Sequence, residues 1–268
     1  MDPSPTLTIV LPAYNEAGRI EPALDELFGY LRRRGASARD GAPGAAELPG
    51  RIDVLVVDDG STDDTADLVR ARQETRGAQA GATLSVLSVP HGGKGAAVRA
   101  GMLHAETDLI VFADADMATP PDMLVPLVEA LADADVALGS RIQPDGSDMR
   151  KSQPRYRRLL GKAFHLLASL WVVGPVQDTQ CGFKGFRRGA AHDLVSRQKI
   201  TSIVFDVELI YLARRRGYEI AIVPITWADR RGSRMRARPS LAARVAWDLF
   251  RIPLLHRRIG QATKPAEG

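Results

Sequence analysis

The residues with the clearest chemical potential are two aspartates, Asp114 and Asp116, which follow the apolar segment Leu109–Ala113. Two carboxylates at the end of a buried strand repel each other and lose hydration, which is unfavourable unless a cation lies between them. Mg²⁺ and Mn²⁺ prefer carboxylate oxygens and keep positions open for substrate phosphates. The pattern therefore predicts such an ion beside a diphosphate. The alternative is that one acid caps the next helix while the other is solvated.

A second acidic group, Asp58 and Asp59, ends an earlier apolar segment in VDDGSTDDT, residues 57–65. Carboxylates at such a position can accept hydrogen bonds from the base and ribose of a nucleotide. Residues 61–64 are explained by capping of the following helix. Within this segment we therefore predict nucleotide binding only for Asp58 and Asp59.

Two further segments add candidate donor-binding residues. PAYNE, residues 12–16, offers Tyr14 to cover a base and Glu16 at the same site. HGGKG, residues 91–95, offers Lys94 as a cation near a diphosphate. It lacks the Gly-Lys-Ser/Thr spacing of a Walker loop, and glycines needed for a tight turn explain it equally well.

The first half of the chain supplies a scaffold that would bring these residues together. Short segments rich in Val, Ile and Leu alternate with amphipathic patterns, which is typical of an open, mainly parallel α/β sheet. Strands are predicted at 6–13, 52–59, 83–90, 108–116 and 135–141. Ligands bind at the carboxyl ends of such strands, so Asp58, Asp59, Asp114 and Asp116 should share one rim.

The remaining elements are predicted from helical periodicity and from two further apolar runs. Helices are predicted at 15–34, 61–74, 93–105, 120–133, 150–173, 203–217 and 240–258, and strands at 180–188 and 218–227. The Gly/Ala/Pro-rich segment 35–50 is predicted to be a flexible surface insertion.

Length and composition limit the class of protein. The chain has 268 residues, 45% of them hydrophobic, which suits one large domain with a tail. The single cysteine, Cys181, excludes an internal disulfide. Neither a signal peptide nor a transmembrane segment is predicted, because the charge-free window 163–177 is shorter than the roughly 20 residues that a spanning helix needs.

The net charge of +4 conceals two unlike halves. Residues 1–140 hold 11 of the 36 Lys and Arg residues but 22 of the 32 acidic residues. An acidic first half suits a metal, and a basic second half suits phosphates, nucleic acid or an anionic membrane. Nucleic acid is disfavoured, because the 15 aromatic residues form no recognisable stacking platform. A solvated charged face is the remaining alternative.

In their order, LTIVLPAYNE, VVDDGSTDDT, GGKGAAVRAG and FADAD resemble the donor-binding half of the inverting family 2 glycosyltransferases, which have the GT-A fold. The later segments GSR, DTQCGFKGF, FDVELIYLA and VPITWADRRGSR resemble the dolichyl-phosphate β-glucosyltransferase branch and its bacterial polyprenyl-phosphate relatives. The resemblance implies a catalytic domain at 1–236, with a donor half at about 6–140 and an acceptor half at about 141–236. An amphipathic helix and tail would follow at 237–268.

The resemblance also implies roles for individual residues. Pro12, Tyr14, Glu16 and Asp58 match residues that hold the base and ribose, while Asp114 and Asp116 match the acids of the metal and diphosphate. Arg141, Arg157 and Arg234 match the acceptor-phosphate positions, and Arg234 stands where the family usually has Lys. Ala118 stands where the mannosyl branch often has a polar residue, which disfavours that branch.

The implied reaction moves glucose from UDP-glucose, with Mg²⁺ or Mn²⁺, to a polyprenyl or dolichyl phosphate, giving a β-linked product. A phosphate monoester has a second pKa of about 6, so it needs little help from a general base. Asp178 is the predicted carboxylate near the sugar, either as a base or as a residue that orients an arginine or binds a sugar hydroxyl. Asp206 and Glu208 are predicted to form structural ion pairs with nearby arginines.

An anionic membrane surface is the predicted partner of the basic half, with peripheral attachment to the cytoplasmic face through apolar faces at 159–173 and 241–255. Three alternatives stay open: a mannosyl- or N-acetylhexosaminyltransferase, an enzyme with a soluble acceptor, and a non-catalytic sensor of nucleotide sugars. A processive polymerase is disfavoured, because the chain lacks Gln-X-X-Arg-Trp.

Overall fold

A computed structural model of the chain describes residues 5–39, 48–76, 82–149, 168, 171–172, 178–228 and 239–260. Its strands are β1 (Thr6–Ala13), β2 (Arg51–Asp58), β3 (Ala82–Ser88), β4 (Leu109–Ala113), β5 (Val136–Ser140), β6 (Phe183–Arg187) and β7 (Ile220–Pro224). Its helices are α1 (Ile20–Arg39), α2 (Thr65–Arg76), α3 (Lys94–His104), α4 (Leu124–Ala130), α5 (Arg188–Arg197), α6 (Phe205–Arg216) and α7 (Pro239–Leu255). A short 3₁₀ turn, Pro121–Met123, precedes α4.

The strands form one seven-stranded sheet in the order β3-β2-β1-β4-β6-β5-β7. Strand β6 runs antiparallel to both of its neighbours, and the other pairs are parallel. The predicted open, mainly parallel α/β sheet is therefore confirmed. The carboxyl ends of β1, β2, β4, β5 and β7 and the amino end of β6 all lie at one rim.

The strands between the two edges of the sheet are buried on both faces, which explains their near-continuous apolar sequences, while the edge strands β3 and β7 are partly exposed. On β1, Leu7, Ile9 and Leu11 belong to one apolar layer, which includes Leu24 and Phe28 of α1. Val10 of the same strand faces the opposite layer, which includes residues of α3 and α6. Alternate side chains of a strand point to opposite faces, so each β1 residue has an apolar neighbour.

Gly101 of α3 allows this helix to lie unusually close to the sheet. A Cβ at this position would lie 2.5 Å from Val10 Cγ1 and 2.8 Å from Val57 Cγ2. Both valines are fully buried in the sheet and cannot move aside cheaply.

Replacement of Gly101 by alanine is expected to destabilise the protein by about 1–3 kcal/mol, because overpacking outweighs the gain in helix propensity. Gly189→Ala in α5 is the matched control, since a Cβ there meets nothing within 4 Å. It should be neutral or stabilising by up to about 1 kcal/mol. Urea unfolding of both variants checks this prediction, and a Gly101→Ala protein as stable as its parent would contradict it.

Helix α7 is attached to α6 and to the loop before it by buried polar contacts. Ser202 Oγ donates to Asp248 Oδ2 at 2.6 Å, and His256 Nε2 pairs with Glu208 Oε1 at 2.6 Å. The predicted structural roles of Asp206 and Glu208 agree with the structure, but the predicted arginine partners do not. Asp206 pairs with Lys184, Glu208 pairs with His256, and Arg197 and Arg216 pair with Asp193.

Several helices differ from their prediction. Helix α1 begins at Ile20 rather than Asn15, because Asn15 has a φ of 54° and its side-chain oxygen accepts from Thr62 N. It also continues to Arg39, so the start of the segment predicted as a flexible insertion is helical, and α4 is shorter than the predicted helix at 120–133. Helix α5 was not predicted. The predicted helix at 150–173 lies almost wholly outside the described residues, as does part of the insertion at 35–50.

Within the described part of the chain, none of the helices combines the length and the apolar character that crossing a bilayer requires.

Candidate active site

Asp114 lies at the rim just after β4 and contacts a lysine from the start of α3. Lys94 Nζ donates to Asp114 Oδ1 at 2.5 Å, and both side chains are partly exposed. Burial lowers the pKa of Lys94, but the charges of Asp114 and Asp206 raise it more, so the net pKa lies well above its usual value. A permanent ammonium group therefore stands beside the first of the two acids.

Asp116 lies two residues further along the same loop. Its Oδ1 accepts a hydrogen bond from Ala118 N at 3.0 Å. Burial raises the pKa of Asp116, and the neighbouring charge of Asp114 raises it further. The predicted repulsion between the two acids is therefore present, and a cation would relieve it.

The two acids fit a divalent ion that takes part of its coordination from substrate. Carboxylate oxygens suit Mg²⁺ or Mn²⁺, and Asp114 keeps 40% of its side chain exposed. Among the residues that the structure describes, no cluster of three or more His, Cys, Asp or Glu side chains is arranged to hold a metal. Asp114 and Asp116 are thus the two carboxylates at this rim that could hold such an ion.

The nucleotide side of the rim begins directly after β1. Tyr14 is 39% exposed, and its ring stacks on His91 with 4.3 Å between centroids. Pro12 is half-buried near the end of β1 and pairs with Val57 of β2. The stacked rings present an aromatic surface where a base was predicted to lie.

Asp58 and Asp59 lie at the end of β2, but they differ in what they contact. Asp58 is buried and accepts from Ser61 N at 3.1 Å. Asp59 accepts from Gly92 N and Gly93 N at 2.8 and 2.9 Å, and its Oδ2 lies 2.9 Å from His91 Nδ1. Asp59 thus anchors the glycine-rich turn before α3. This structural role explains an aspartate at position 59 independently of any contact with a nucleotide.

Glu16 forms a two-pronged ion pair within the loop after β1. Arg19 Nε and Nη2 each donate to the Glu16 carboxylate at 2.7 Å. The charge of Arg19 also lowers the pKa of Asp116, so this arginine acts on both predicted groups. A nucleotide hydroxyl that binds Glu16 would meet a carboxylate already held in place.

Arg141, which follows β5, is held by Asp178, which lies shortly before β6. Asp178 Oδ2 accepts from Arg141 N and Nε at 2.7 and 2.8 Å, and Oδ1 accepts from Nη2 at 2.5 Å. Asp178 has a φ of 52° and its side chain is only 1% exposed. Because both of its oxygens bind the arginine, the geometry favours an orienting role for Asp178 over a free base.

The segment after β7 completes the rim near Arg141. Trp227 lies under the guanidinium, with 5.6 Å from Arg141 Cζ to the ring centroid. Ile225 N donates to Ser140 O, and Ala228 N donates to Ala118 O. The other predicted acceptor residues, Arg157 and Arg234, lie outside the described residues.

The structure thus brings the predicted acids, Lys94 and Arg141 to one rim. Gly182, between Asp178 and β6, lies so close to Asp114 that a Cβ there would clash with the Asp114 carboxylate, which links the two sides of the rim. Sequence reasoning missed three contributors, His91, Arg19 and Trp227. All three occur within or beside the quoted motifs, so their positions in the sequence were visible. Their contacts with Tyr14, Glu16 and Arg141 became known only from the folded structure.

Comparison with known proteins identifies relatives that are glycosyltransferases. A sequence profile described as Glycosyl transferase family 2 matches residues 8–195. Dolichyl-phosphate beta-glucosyltransferase ALG5C of Trichomonas vaginalis is 38% identical over 258 residues, covering 93% of this chain and 71% of that protein. The dolichyl-phosphate beta-glucosyltransferase of Drosophila melanogaster is 35% identical over 240 residues, covering 87% and 70%.

Solved structures agree on the fold. Glucosyl-3-phosphoglycerate synthase from Mycobacterium tuberculosis, in complex with Mn²⁺, UDP and glucosyl-3-phosphoglycerate, aligns with a TM-score of 0.57 at 22% identity. The alignment covers 97% of this chain and 82% of that one. TarS of Staphylococcus aureus in complex with UDP-GlcNAc gives 0.56 at 17% identity, covering 96% and 68%. The predicted family and the GT-A fold are confirmed, and the chain belongs to glycosyl transferase family 2.

Proposed function

We propose that this protein transfers glucose from UDP-glucose to the phosphate of a polyprenyl or dolichyl lipid, with inversion to a β-linked product. The observation that carries the proposal is the rim itself. Two contacts at this rim support the proposal: Lys94 pairs with Asp114, near Asp116 in the chain, and Arg141 is held by buried Asp178. The names of the curated relatives, dolichyl-phosphate beta-glucosyltransferases, support this choice of sugar and acceptor.

On the donor side, the protein residues prepare a site for a diphosphate. Asp114 and Asp116 would hold Mg²⁺ or Mn²⁺, which when bound would neutralise charge on the leaving diphosphate. Lys94 adds a fixed positive charge at the same place, and Tyr14 offers its ring to the base. These contacts stabilise the nucleotide diphosphate as the bond to the sugar breaks.

On the acceptor side, Arg141 binds and orients the lipid phosphate. A phosphate oxygen attacks the anomeric carbon from the face opposite the diphosphate, the carbon–oxygen bond to UDP breaks, and UDP leaves with the electron pair. The phosphate monoester is already largely ionised at neutral pH, with a second pKa of about 6. Positioning by Arg141 and Asp178 therefore contributes more than proton removal.

The test is a panel of UDP- and GDP-sugars, incubated with polyprenyl phosphate or with soluble acceptors in the presence of Mg²⁺ or Mn²⁺. We expect the highest turnover with UDP-glucose and polyprenyl phosphate, and a β-linkage by NMR. Higher turnover with GDP-mannose, with a UDP-N-acetylhexosamine or with a soluble acceptor would overturn the proposal in favour of that alternative. No turnover with any pair would support a sensor.

Replacement of Lys94 by methionine is predicted to change the affinities for Mn²⁺ and for UDP in opposite directions. In Lys94→Met the ammonium no longer competes at Asp114, so affinity for Mn²⁺ alone should rise about 3- to 10-fold. Affinity for UDP with Mn²⁺ should fall about tenfold, because a charge-assisted contact to the diphosphate is lost. Electron paramagnetic resonance of free Mn²⁺ and calorimetry of UDP binding measure the two effects.

Lys199→Met is the control for this experiment, because Lys199 is exposed and donates to Leu255 O away from the rim. It should leave both affinities unchanged. Changes of the same sign for Mn²⁺ and UDP in Lys94→Met would show that Lys94 does not stand between the acid and the diphosphate.

We also propose that the enzyme reaches its lipid substrate by peripheral attachment to an anionic membrane, through a surface that we term the aromatic patch. It consists of Trp171, Trp247, Phe250 and Leu254, each between 48% and 60% exposed. Phe250 stacks on both tryptophans, at 5.7 and 6.0 Å between centroids, and its carbonyl accepts from Trp171 Nε1. Exposed neighbouring aromatic rings of this kind suit a membrane interface.

The sequence of α7 explains why the patch faces outward. Trp247, Phe250 and Leu254 follow one another at helical spacing on one side, while Leu249, Ile252 and His256 are buried on the other. Arg244, Arg257 and Arg258 are exposed beside the apolar stripe. Arginines flanking an apolar stripe match anionic head groups, with roughly 1 kcal/mol for each basic residue near the surface.

Flotation with vesicles that contain anionic phospholipid is expected to carry the protein upward at moderate salt, and less so as salt rises. Trp247→Ala/Phe250→Ala should lower the membrane partition coefficient at least about tenfold, because each ring contributes about 1.5–3 kcal/mol on burial. Leu103→Ala, at an exposed leucine of α3, is the control and should float like its parent. A parent protein that stays at the bottom would contradict membrane attachment.

A further inference from the structure

Lys184 is a lysine buried in the middle of β6, where the reaction described above does not use it. It is fully buried and pairs in register with Phe112 of β4. Its Nζ donates to Asp206 Oδ1 at 2.8 Å and to the carbonyl of Cys181, and lies 5.3 Å from the Phe112 ring centroid. Burial of two charges carries a large desolvation penalty, so a buried ion pair often stabilises a protein no more than apolar residues of similar size would. Stability alone therefore does not explain this pair.

The carbonyl that Lys184 binds belongs to the turn at residues 178–182. At one end of the turn, the Asp178 carboxylate accepts three hydrogen bonds from Arg141. At the other end, Gly182 lies so close to Asp114 that a Cβ would clash with its carboxylate oxygens. Cys181, between these ends, also donates its N–H to the Asp178 carbonyl at 3.2 Å. The turn therefore touches both the acceptor arginine and the donor-side acid.

Asp206, the partner of Lys184, connects this turn to Lys94. It lies in the first turn of α6, and its charge acts on Lys94 as well as on Lys184. The beginnings of α3 and α6 are in direct contact, since Gly95 N donates to Thr201 O at 3.0 Å. A Cβ on Gly95 would lie only 2.7 Å from Phe205 Cβ. Any residue larger than glycine at position 95 would therefore clash with the start of α6.

We propose that Lys184 and Asp206 are positioning residues, which together set the distance between Asp114 and Lys94 on the donor side and Arg141 on the acceptor side. The inference rests on the proposed function, because it assumes that a diphosphate and a phosphate bind at these two places. A lysine suits this position, since its ammonium donates to two acceptors at once and its third direction faces an aromatic ring. An uncharged side chain leaves the Cys181 carbonyl without this donor.

The experiment compares a double variant with a control. Lys184→Met/Asp206→Leu replaces the positioning pair with apolar residues, and Arg216→Met removes the ion pair between α6 and α5 outside the rim, while Asp193 keeps Arg197 and Tyr218 as partners. We expect the double variant to fold, because apolar replacement of a whole buried pair is often tolerated. The double variant should raise the UDP Kd, measured with Mn²⁺, and the acceptor KM by about tenfold each, and should lower kcat about 100-fold, since a displacement of about 1 Å has such effects. The control should leave all three constants unchanged.

The coupled change in both binding constants is what a merely structural role would not produce. A loss of Tm with unchanged UDP Kd and acceptor KM, or a change in only one of them, would overturn the inference. Lys184→Arg is the second variant if the double variant fails to fold. It keeps a positive partner for Asp206, but its larger head group should displace the turn at residues 178–182. A rise in both constants is therefore expected again, and unchanged constants would overturn the inference. A parent protein that fails to bind UDP with Mn²⁺ would count instead against the proposed function.

Discussion

Asp116→Asn is expected to lower kcat at least about 10³-fold, the largest loss that we predict for a single substitution. The carboxylate is one of two that would hold the divalent ion, and a bound metal provides several kcal/mol of stabilisation to developing charge, at about 1.4 kcal/mol for each factor of ten. The amide keeps the hydrogen bond from Ala118 N, so the loop need not change. Steady-state turnover of UDP-glucose measures the loss.

The same substitution is expected to raise the Tm of the metal-free protein by about 2–4 °C at neutral pH. Burial and the charge of Asp114 raise the pKa of Asp116, so its ionised form is disfavoured in the folded state. This unfavourable contribution is present above the folded-state pKa and disappears as pH falls below the unfolded value. The difference in Tm between variant and parent should therefore shrink as the pH approaches 4, close to the usual value for an aspartate.

Asp133→Asn, at an exposed aspartate after α4, is the matched control and should change neither kcat nor Tm. With saturating Mn²⁺ and UDP the order of stability should reverse, because the ligands bind the parent more tightly. An Asp116→Asn protein that keeps turnover near the parent level would refute the role of this acid.

Removal of the Arg141–Asp178 pair is expected to produce the second largest effect. Arg141→Met and Asp178→Asn should each lower kcat/KM for the lipid acceptor about 10²- to 10³-fold, because the second leaves the arginine in place but wrongly oriented. The double variant should be no worse than the more impaired single variant. This corresponds to a coupling of about 3–4 kcal/mol in the double-mutant cycle, at about 1.4 kcal/mol for each factor of ten.

The cycle distinguishes an orienting Asp178 from a catalytic base. A base would contribute independently of Arg141, so the losses would add, and Asp178→Asn would abolish the acidic limb of the pH–rate profile. Each single variant removes the oppositely charged side chain from a buried group and should be destabilised by about 3–5 kcal/mol, so assays belong at low temperature with unfolding monitored in parallel. Arg197→Met, which breaks a more exposed pair with Asp193, should leave the acceptor kinetics unchanged.

The strands were predictable because their signal is local. Each of the first five apolar runs corresponds to an observed strand with ends shifted by at most a few residues, since continuous Val, Ile and Leu need burial on both faces. Helix α5 was missed because its sequence, RGAAHDLVSR, is short and begins with Arg-Gly. Its helical state depends on burial of Leu194 and Val195 against the second apolar layer, which only the folded chain provides.

The candidate site was predictable where chemistry and motif coincide in one segment, as for Asp114, Asp116 and Lys94. Its long-range contacts were not. The stacking of Tyr14 on His91 depends on β1, β2 and β3 lying side by side, and the Lys184–Asp206 pair depends on α6 packing against the face of the sheet that includes β6. Continuous apolar runs predict that strands exist but do not encode their order in the sheet, so contacts between residues far apart in sequence could not be predicted.

Because β6 runs antiparallel to its neighbours, its amino end lies at the same rim as the carboxyl ends of β4 and β5. The chain can therefore leave this rim at Arg141 and reach it again at Asp178, and these two residues are hydrogen-bonded to each other. The reversal of one strand thus joins two residues 37 positions apart in the sequence at the edge where the substrates are proposed to meet.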